Sequence, residues 1–222
     1  MEGTNAIVNV SLPFDRDRIP ARDPVAAPNL IDLTEYYTSS LDRCSYLDAD
    51  GNCMQLDLRK GPKGLVNFHG VPFDFRGIIQ LAWACGSGAM VGFAHSVEGI
   101  SVRQPCVRWH AILGSTGNGA EGEVIGSLVL RYPDGGREEL EIIYGRHVRH
   151  WRTDGDSRTD TDLARVAWEG PHAFWYFPDA RLRIYHAVWD NPRPDQEIVS
   201  FDFVSKMTTT AAPFLIDRKS VV

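Results

Sequence analysis

The chain has 222 residues and a formal net charge of -6, from 23 Lys and Arg against 29 Asp and Glu. A phosphate-binding surface needs concentrated basic residues, and here they are scattered among acids, which argues against nucleic acid as the main partner. Apolar residues make up 43%, enough for a real core, and no run of them is long enough to span a bilayer.

With 20 Gly and 13 Pro, turns are frequent, while amphipathic helical runs are scarce. Residues 1–28 are rich in Pro, Asp and Arg without periodicity and read as an extended N-terminal arm. They lack the charged, apolar and small-residue order of a signal peptide. That fits a cytosolic protein, or one that works outside the cytoplasm after losing a leader. A single folded domain is expected over 29–222. "NLIDLTEYYTSSL" opens it with a short helical turn. The next loop lies between Cys44 and Cys53, which could be a disulfide staple or two free thiols. The four cysteines show no CxxC spacing, which argues against a zinc knuckle.

"LVNFHGVPFDFRGIIQLAW" contains two apolar runs separated by turn residues. "EVIGSLVLRYPDGGREELEIIYG" is the clearest hairpin. Val124, Leu128, Leu130 and Tyr132 share one face, "PDGG" makes the turn, and Leu140, Ile142 and Tyr144 return. In "RLRIYHAVW", Leu182, Ile184, His186 and Val188 fall on one side. "WDNPRPDQEI" reads as a rigid turn in which Asp190 or Asn191 bonds the local backbone. In "EIVSFDFVS", Val199, Phe201 and Phe203 share a face, and Asp202 opposite them is expected to pair with an Arg or with backbone donors. Closely spaced strands with turn signals predict an all-β, antiparallel β-sandwich with few short helical turns.

Three segments taken together, "FHGVPFDFRGIIQL", "IGSLVLRYPDG" with "IIYGRHVRHW", and "WDNPRPDQEIVSFDFVS" with "APFLI", resemble an accessory β-sandwich module of bacterial multi-domain proteins. It is similar to the galactose-binding-like jelly rolls, and the resemblance spans roughly residues 30–217. It implies a jelly-roll fold, association with carbohydrate or a cell-surface glycan, and no established activity. Such relatives often hold a structural Ca²⁺, for which "DADGN" and "TDGDSRTDTD" offer carboxylates without complete EF-hand spacing; the reading favoured for both segments is a solvated turn. No other cofactor is expected.

Two clusters stand out as ligand-contact candidates. "YGRHVRHW" supplies Arg146, His147, Arg149, His150 and Trp151, expected at a strand end and rim loop. "HAFWYFPDA" supplies Trp175 and Tyr176, flat aromatics of the kind that stack on the C–H faces of sugars. The competing reading of the first cluster is structural, its side chains capping loops and pairing with acids such as Asp154 or Asp156. Trp83, Trp109 and Trp189 are assigned to the core. No nucleophile motif is present, and the chain is read as noncatalytic. Two alternatives stay open. One is a structural module that docks on a protein partner or on itself. The other is a metal-dependent enzyme using His147, His150 and an Asp.

Overall fold

The computed structural model describes residues 16–27, 29–42, 44–47, 53–56, 58–85, 88–89, 93–153, 161–171 and 181–221. In chain order the strands are β1 (Ser39–Ser40), β2 (Cys44–Leu47), β3 (Cys53–Leu56), β4 (Gly64–Phe68), β5 (Val71–Phe75), β6 (Gly77–Gln80), β7 (Ala84–Cys85), β8 (Gly88–Ala89), β9 (Ser96–Pro105), β10 (Arg108–Thr116), β11 (Val124–Arg131), β12 (Arg137–Ile143), β13 (Ala164–Pro171), β14 (Arg181–Asp190), β15 (Glu197–Ser205) and β16 (Ala212–Val221). Helical structure among the described residues amounts to two 3₁₀ turns, Arg16–Arg18 and Thr34–Tyr36. No helix among them is long and apolar enough to cross a membrane.

The protein is an all-β sandwich. One sheet has six strands in the order β1-β6-β16-β10-β14-β13, the other four in the order β12-β11-β15-β9. Every strand pairing within them is antiparallel. The faces that meet are built from the alternation visible in the sequence. Leu128, Leu130, Leu140, Ile142, Phe201 and Phe203 of the four-stranded sheet pack against Trp109, Leu113, Tyr185 and Leu215 of the six-stranded one. Trp109 meets Phe201 edge to face, with centroids 5.0 Å apart. The "PDGG" turn closes as read, with Gly135 at φ 82° and the Gly136 N–H donating to Asp134 Oδ1 at 2.8 Å.

The six-stranded sheet is buried on its second face as well. There Leu182, Ile184, Ile112, Phe214 and Ile216 are covered by Phe73 and Phe75 of the β4–β5 hairpin and by Trp151. A bulge in β16 between its pairings with Ile112 and Leu113 lets the strand supply both faces. Just beyond it, Asp217 and Arg218 are fully buried, one to each face. Arg218 lies 3.5 Å over the Trp109 ring on the inner side. Asp217 accepts the Asp74 N–H at 2.5 Å on the outer side, and Asp74 in turn holds Arg76 at 2.6 Å.

Several expectations can be placed on this frame. Asp202 is buried and accepts from Arg131 Nε at 2.8 Å and from the Gly99 N–H at 2.9 Å. Asn191 locks its turn by accepting the Arg193 N–H and donating to the Cys106 carbonyl. From Arg16 the N-terminal arm lies along the sandwich: Ile19 packs on the core and the Pro20 carbonyl accepts from Arg76. Cys53 pairs with Leu47 and Cys44 with Leu56.

Two outcomes test the double burial. A methyl group on Gly114 would run into the Phe214 ring, so Gly114→Ala should lower stability by about 1–3 kcal/mol, read as a drop in urea midpoint. Burial pushes the Asp217 carboxyl up to about 8, with the Asp74 charge adding to it and the Asp74 and Arg218 N–H groups opposing it. The unfolded chain then ionises this group between pH ~4 and ~8 while the folded chain does not, so native stability falls as pH rises through that window. Asp217→Asn removes the penalty, and its stability advantage over the wild type should grow from pH ~4 to ~8 in matched urea titrations.

Candidate functional site

The β4–β5 cover is two strands wide and stops short of one end of the six-stranded sheet. At its tip a two-residue turn, His69–Gly70, joins Phe68 to its partner Val71. Both turn residues have positive φ, 53° and 84°, as a type I′ hairpin requires, and the Gly70 N–H donates to Asn67 Oδ1 at 3.0 Å. A non-glycine residue held at positive φ is a small reservoir of strain of the sort that collects at functional positions. Here it aims an imidazole at the exposed end of the sheet.

Two more imidazoles wait there. His110 on β10 pairs with Val188 of β14, and Ile112 pairs with His186, so the two histidines are diagonal neighbours on one face. His110 Nδ1 lies 2.8 Å from His186 Nε2, and His186 Nδ1 lies 3.1 Å from His69 Nδ1. The His69 and His186 rings are nearly parallel, at 17°. This chain forms the floor of a cavity of about 430 Å³, whose walls include Arg108, Arg165, Thr161, Asp162 and Leu163. The turn that opens β13 is pinned by Thr161, whose hydroxyl donates to the Ala164 carbonyl at 3.0 Å.

The imidazoles run in line rather than around a shared point, and both nitrogens of His186 are engaged. Among the described residues no group of three or more His, Cys, Asp or Glu is arranged to hold a metal ion. Burial draws the His186 pKa down to about 4, helped by the charges of His110, His69 and Arg165. Burial also lowers His110, as do Arg108 and Lys219. Burial thus favours the neutral form of His186 and of His110. With three neutral rings, each carrying one proton, two protons fill the two short gaps and the third sits on one outer nitrogen, His69 Nε2 or His110 Nε2. One end of the chain donates and the other accepts.

"YGRHVRHW" takes a different place. It forms a strap whose Tyr144 and Val148 make a bridge and whose His150 bridges to Ser115. Trp151 is buried in the outer core. His147 is buried, stacked on Trp189 with centroids 4.7 Å apart, and its Nδ1 accepts the Ile143 N–H at 3.1 Å. Arg149 is held by Glu121. Arg146 reaches Asp162 on the cavity wall at 3.7 Å, and its carbonyl accepts the Leu163 N–H. Among the described residues Glu121 and Asp162 are acids that pair with the strap. His150 and Arg149 line a second, smaller pocket of about 100 Å³ with Arg152, Arg183 and Tyr185. The rings of His147 and His150 take separate neighbours, Trp189 for one and Trp151 for the other. Trp175, Tyr176, Asp154, Asp156 and the "DADGN" carboxylates lie outside the described residues.

The His69–His186–His110 chain was not among the expected site residues. Its one trace in the sequence is a histidine on the apolar side of two strands, His110 in "WHAILG" and His186 in "RIYHAVW". A buried polar residue there needs a partner, but the partner's identity depends on which strands become neighbours. The chain matches no family model and no curated protein.

Burial pulls His147 down to about 4 from the ordinary 6.5, and the nearby Arg146 charge adds to this. The unfolded chain takes up this proton as pH falls from ~6.5 to ~4 while the folded chain refuses it, so the stabilising effect of the neutral ring is present above that window and lost through it. His147→Gln should cost about 1–3 kcal/mol at neutral pH. The deficit should shrink as pH falls through the window, read from urea midpoints at matched pH.

Proposed function

We propose that the protein is a noncatalytic binding module for carbohydrate and that the sugar sits in the cavity floored by His69, His186 and His110. The observation that carries this reading is the hydrogen-bonding character of that floor. A chain that donates at one end and accepts at the other matches neighbouring sugar hydroxyls, each of which does both. Thr161, Arg108 and Arg165 add polar groups around the rim, and Val71, Leu163 and Val188 supply apolar wall for the C–H edges of a ring. The volume falls within the range of about 300–1,000 Å³ usual for small-molecule sites.

Kinship with the galactose-binding-like jelly rolls is part of the same proposal, supported by the sandwich architecture and by the three sequence segments that resemble such modules. The noncatalytic reading is supported by the lining. Among the described residues the cavity holds one carboxylate, Asp162, whereas glycoside hydrolysis commonly uses a pair.

A glycan array followed by affinity electrophoresis tests the assignment. Retardation by a bound glycan should weaken about tenfold or more in His69→Asn, a loss of at least about 1.4 kcal/mol. Asn keeps the positive-φ turn while removing the ring. His186→Ala should abolish retardation with the fold retained by circular dichroism. Unaltered retardation of both variants would place the site elsewhere. Absence of any glycan binding, with self-association in light scattering, would favour an interaction module.

A further inference from the structure

Resting on the carbohydrate reading, we infer that the preferred ligand is an acidic saccharide whose carboxylate is held at the histidine chain between Arg108 and Arg165. Among the described residues the charges around the cavity are mainly basic. Arg108 on β10 and Arg165 on β13 line it, and the Lys219 ammonium on β16 is close enough to act on His110. Asp162 is the carboxylate of the lining, and it is drawn toward Arg146 on the strap at 3.7 Å. Asp190 stands 3.8 Å from Arg108, but both side chains are largely in water, at 90% and 60% exposure, where such a pair neutralises little. Arg165 makes no ion pair among the described residues. A neutral sugar would leave this cationic field unanswered, whereas a carboxylate placed between two guanidiniums answers it with charge-assisted hydrogen bonds.

The histidine chain sharpens the preference. In its neutral form only one outer nitrogen can donate. One further proton makes both His69 Nε2 and His110 Nε2 donors and leaves the chain with a single positive charge. That form repays the cost of burial only when an anion lies against it. Proton uptake and carboxylate binding therefore support each other, and neither has this relation to a neutral sugar. The groups that face the chain are Arg108 beside His110 on β10, Arg165 on β13, Lys219 on β16 and Asp162 in the turn before β13. Among the described residues the balance is basic, which favours the neutral form of His110 and His186 until an anion arrives.

Calorimetry on the full chain separates the outcomes. The probes are a galacturonate trisaccharide, the same trisaccharide with its carboxyls reduced to alcohols, and malonate as a small dicarboxylate that is not a sugar. The acidic trisaccharide should bind at least about tenfold tighter than the reduced one. The ratio should widen as pH falls from about 7.5 toward 5, because the uronate stays ionised there and its binding favours proton uptake by the buried rings. Arg165→Gln, an exposed position that leaves the core intact, should narrow the ratio without abolishing binding of the reduced sugar. Equal affinity for the two trisaccharides would overturn the acidic preference and leave the sugar reading standing. Malonate binding as tightly as the acidic trisaccharide would keep the anion site and remove the sugar. No binding of any probe would remove both.

Discussion

The six-stranded sheet must keep both of its faces dry, and the rest of the structure follows from how it does so. A sheet in an ordinary two-layer sandwich turns one face to water and alternates accordingly. Here β14 is buried from Leu182 through Ala187 on both sides. Its inner face meets the four-stranded sheet, while its outer face needs the β4–β5 hairpin and Trp151 as a second cover. β16 runs through the middle of this arrangement, and its bulge re-aims the chain so that an acid and a base enter opposite layers. Arg218 gains a cation–π contact with Trp109, worth up to about 2 kcal/mol when desolvated, yet its Nε and one Nη have no hydrogen-bond partner. A buried guanidinium of this kind rarely adds net stability. The effect of the pair is to make any other register of β16 costly, because a slip would put a charge and a polar carboxyl on the wrong layers.

The candidate site exists because the second cover is incomplete. Where the hairpin lies over the sheet, the outer face is Phe, Leu and Ile. Where the hairpin ends, the same face becomes His110, His186, Arg165 and Lys219. The tip residue His69 sits on the boundary and ties cover to sheet through His186. The turn that places it carries a positive φ at a residue other than glycine, so the local backbone and the site geometry depend on each other. A ligand in the cavity would touch the hairpin, β10, β13 and β14 at once, which gives this boundary more leverage on binding than any single loop.

The strap made by "YGRHVRHW" shows how the same residue types serve two ends. His147 is sequestered as a neutral aromatic plate against Trp189, a role that uses its shape and one acceptor nitrogen. His186 is equally buried but joined to two other rings and open to a cavity. Burial lowers both to similar acidity, so titration alone does not distinguish a packing histidine from a ligand-facing one. The neighbours do. Among the described residues the strap reaches the site through Arg146, which steadies Asp162 and the turn before β13.

The amino-acid order by itself determined the fold class, the 124–143 hairpin, the shared face of β14, the common face of Phe201 and Phe203, and the burial of Asp202, whereas in β15 the core takes Ile198 in place of Val199. Each of these is set by side chains a few residues apart, where the period of two along a strand leaves little choice. It also marked Trp83 and Trp109 as core. What it could not settle was which strands become neighbours. The cationic, aromatic run at 144–151 looked like a site because it is dense along the chain, yet much of it is packed, since a strap crossing a sandwich end has its own backbone and charges to satisfy. The cavity draws on His69, His110 and His186, widely separated in sequence, and no local pattern joins them. Only the antiparallel pairing of β10 with β14, and the fold of the β4–β5 hairpin over their outer face, brings the three rings within hydrogen-bonding distance.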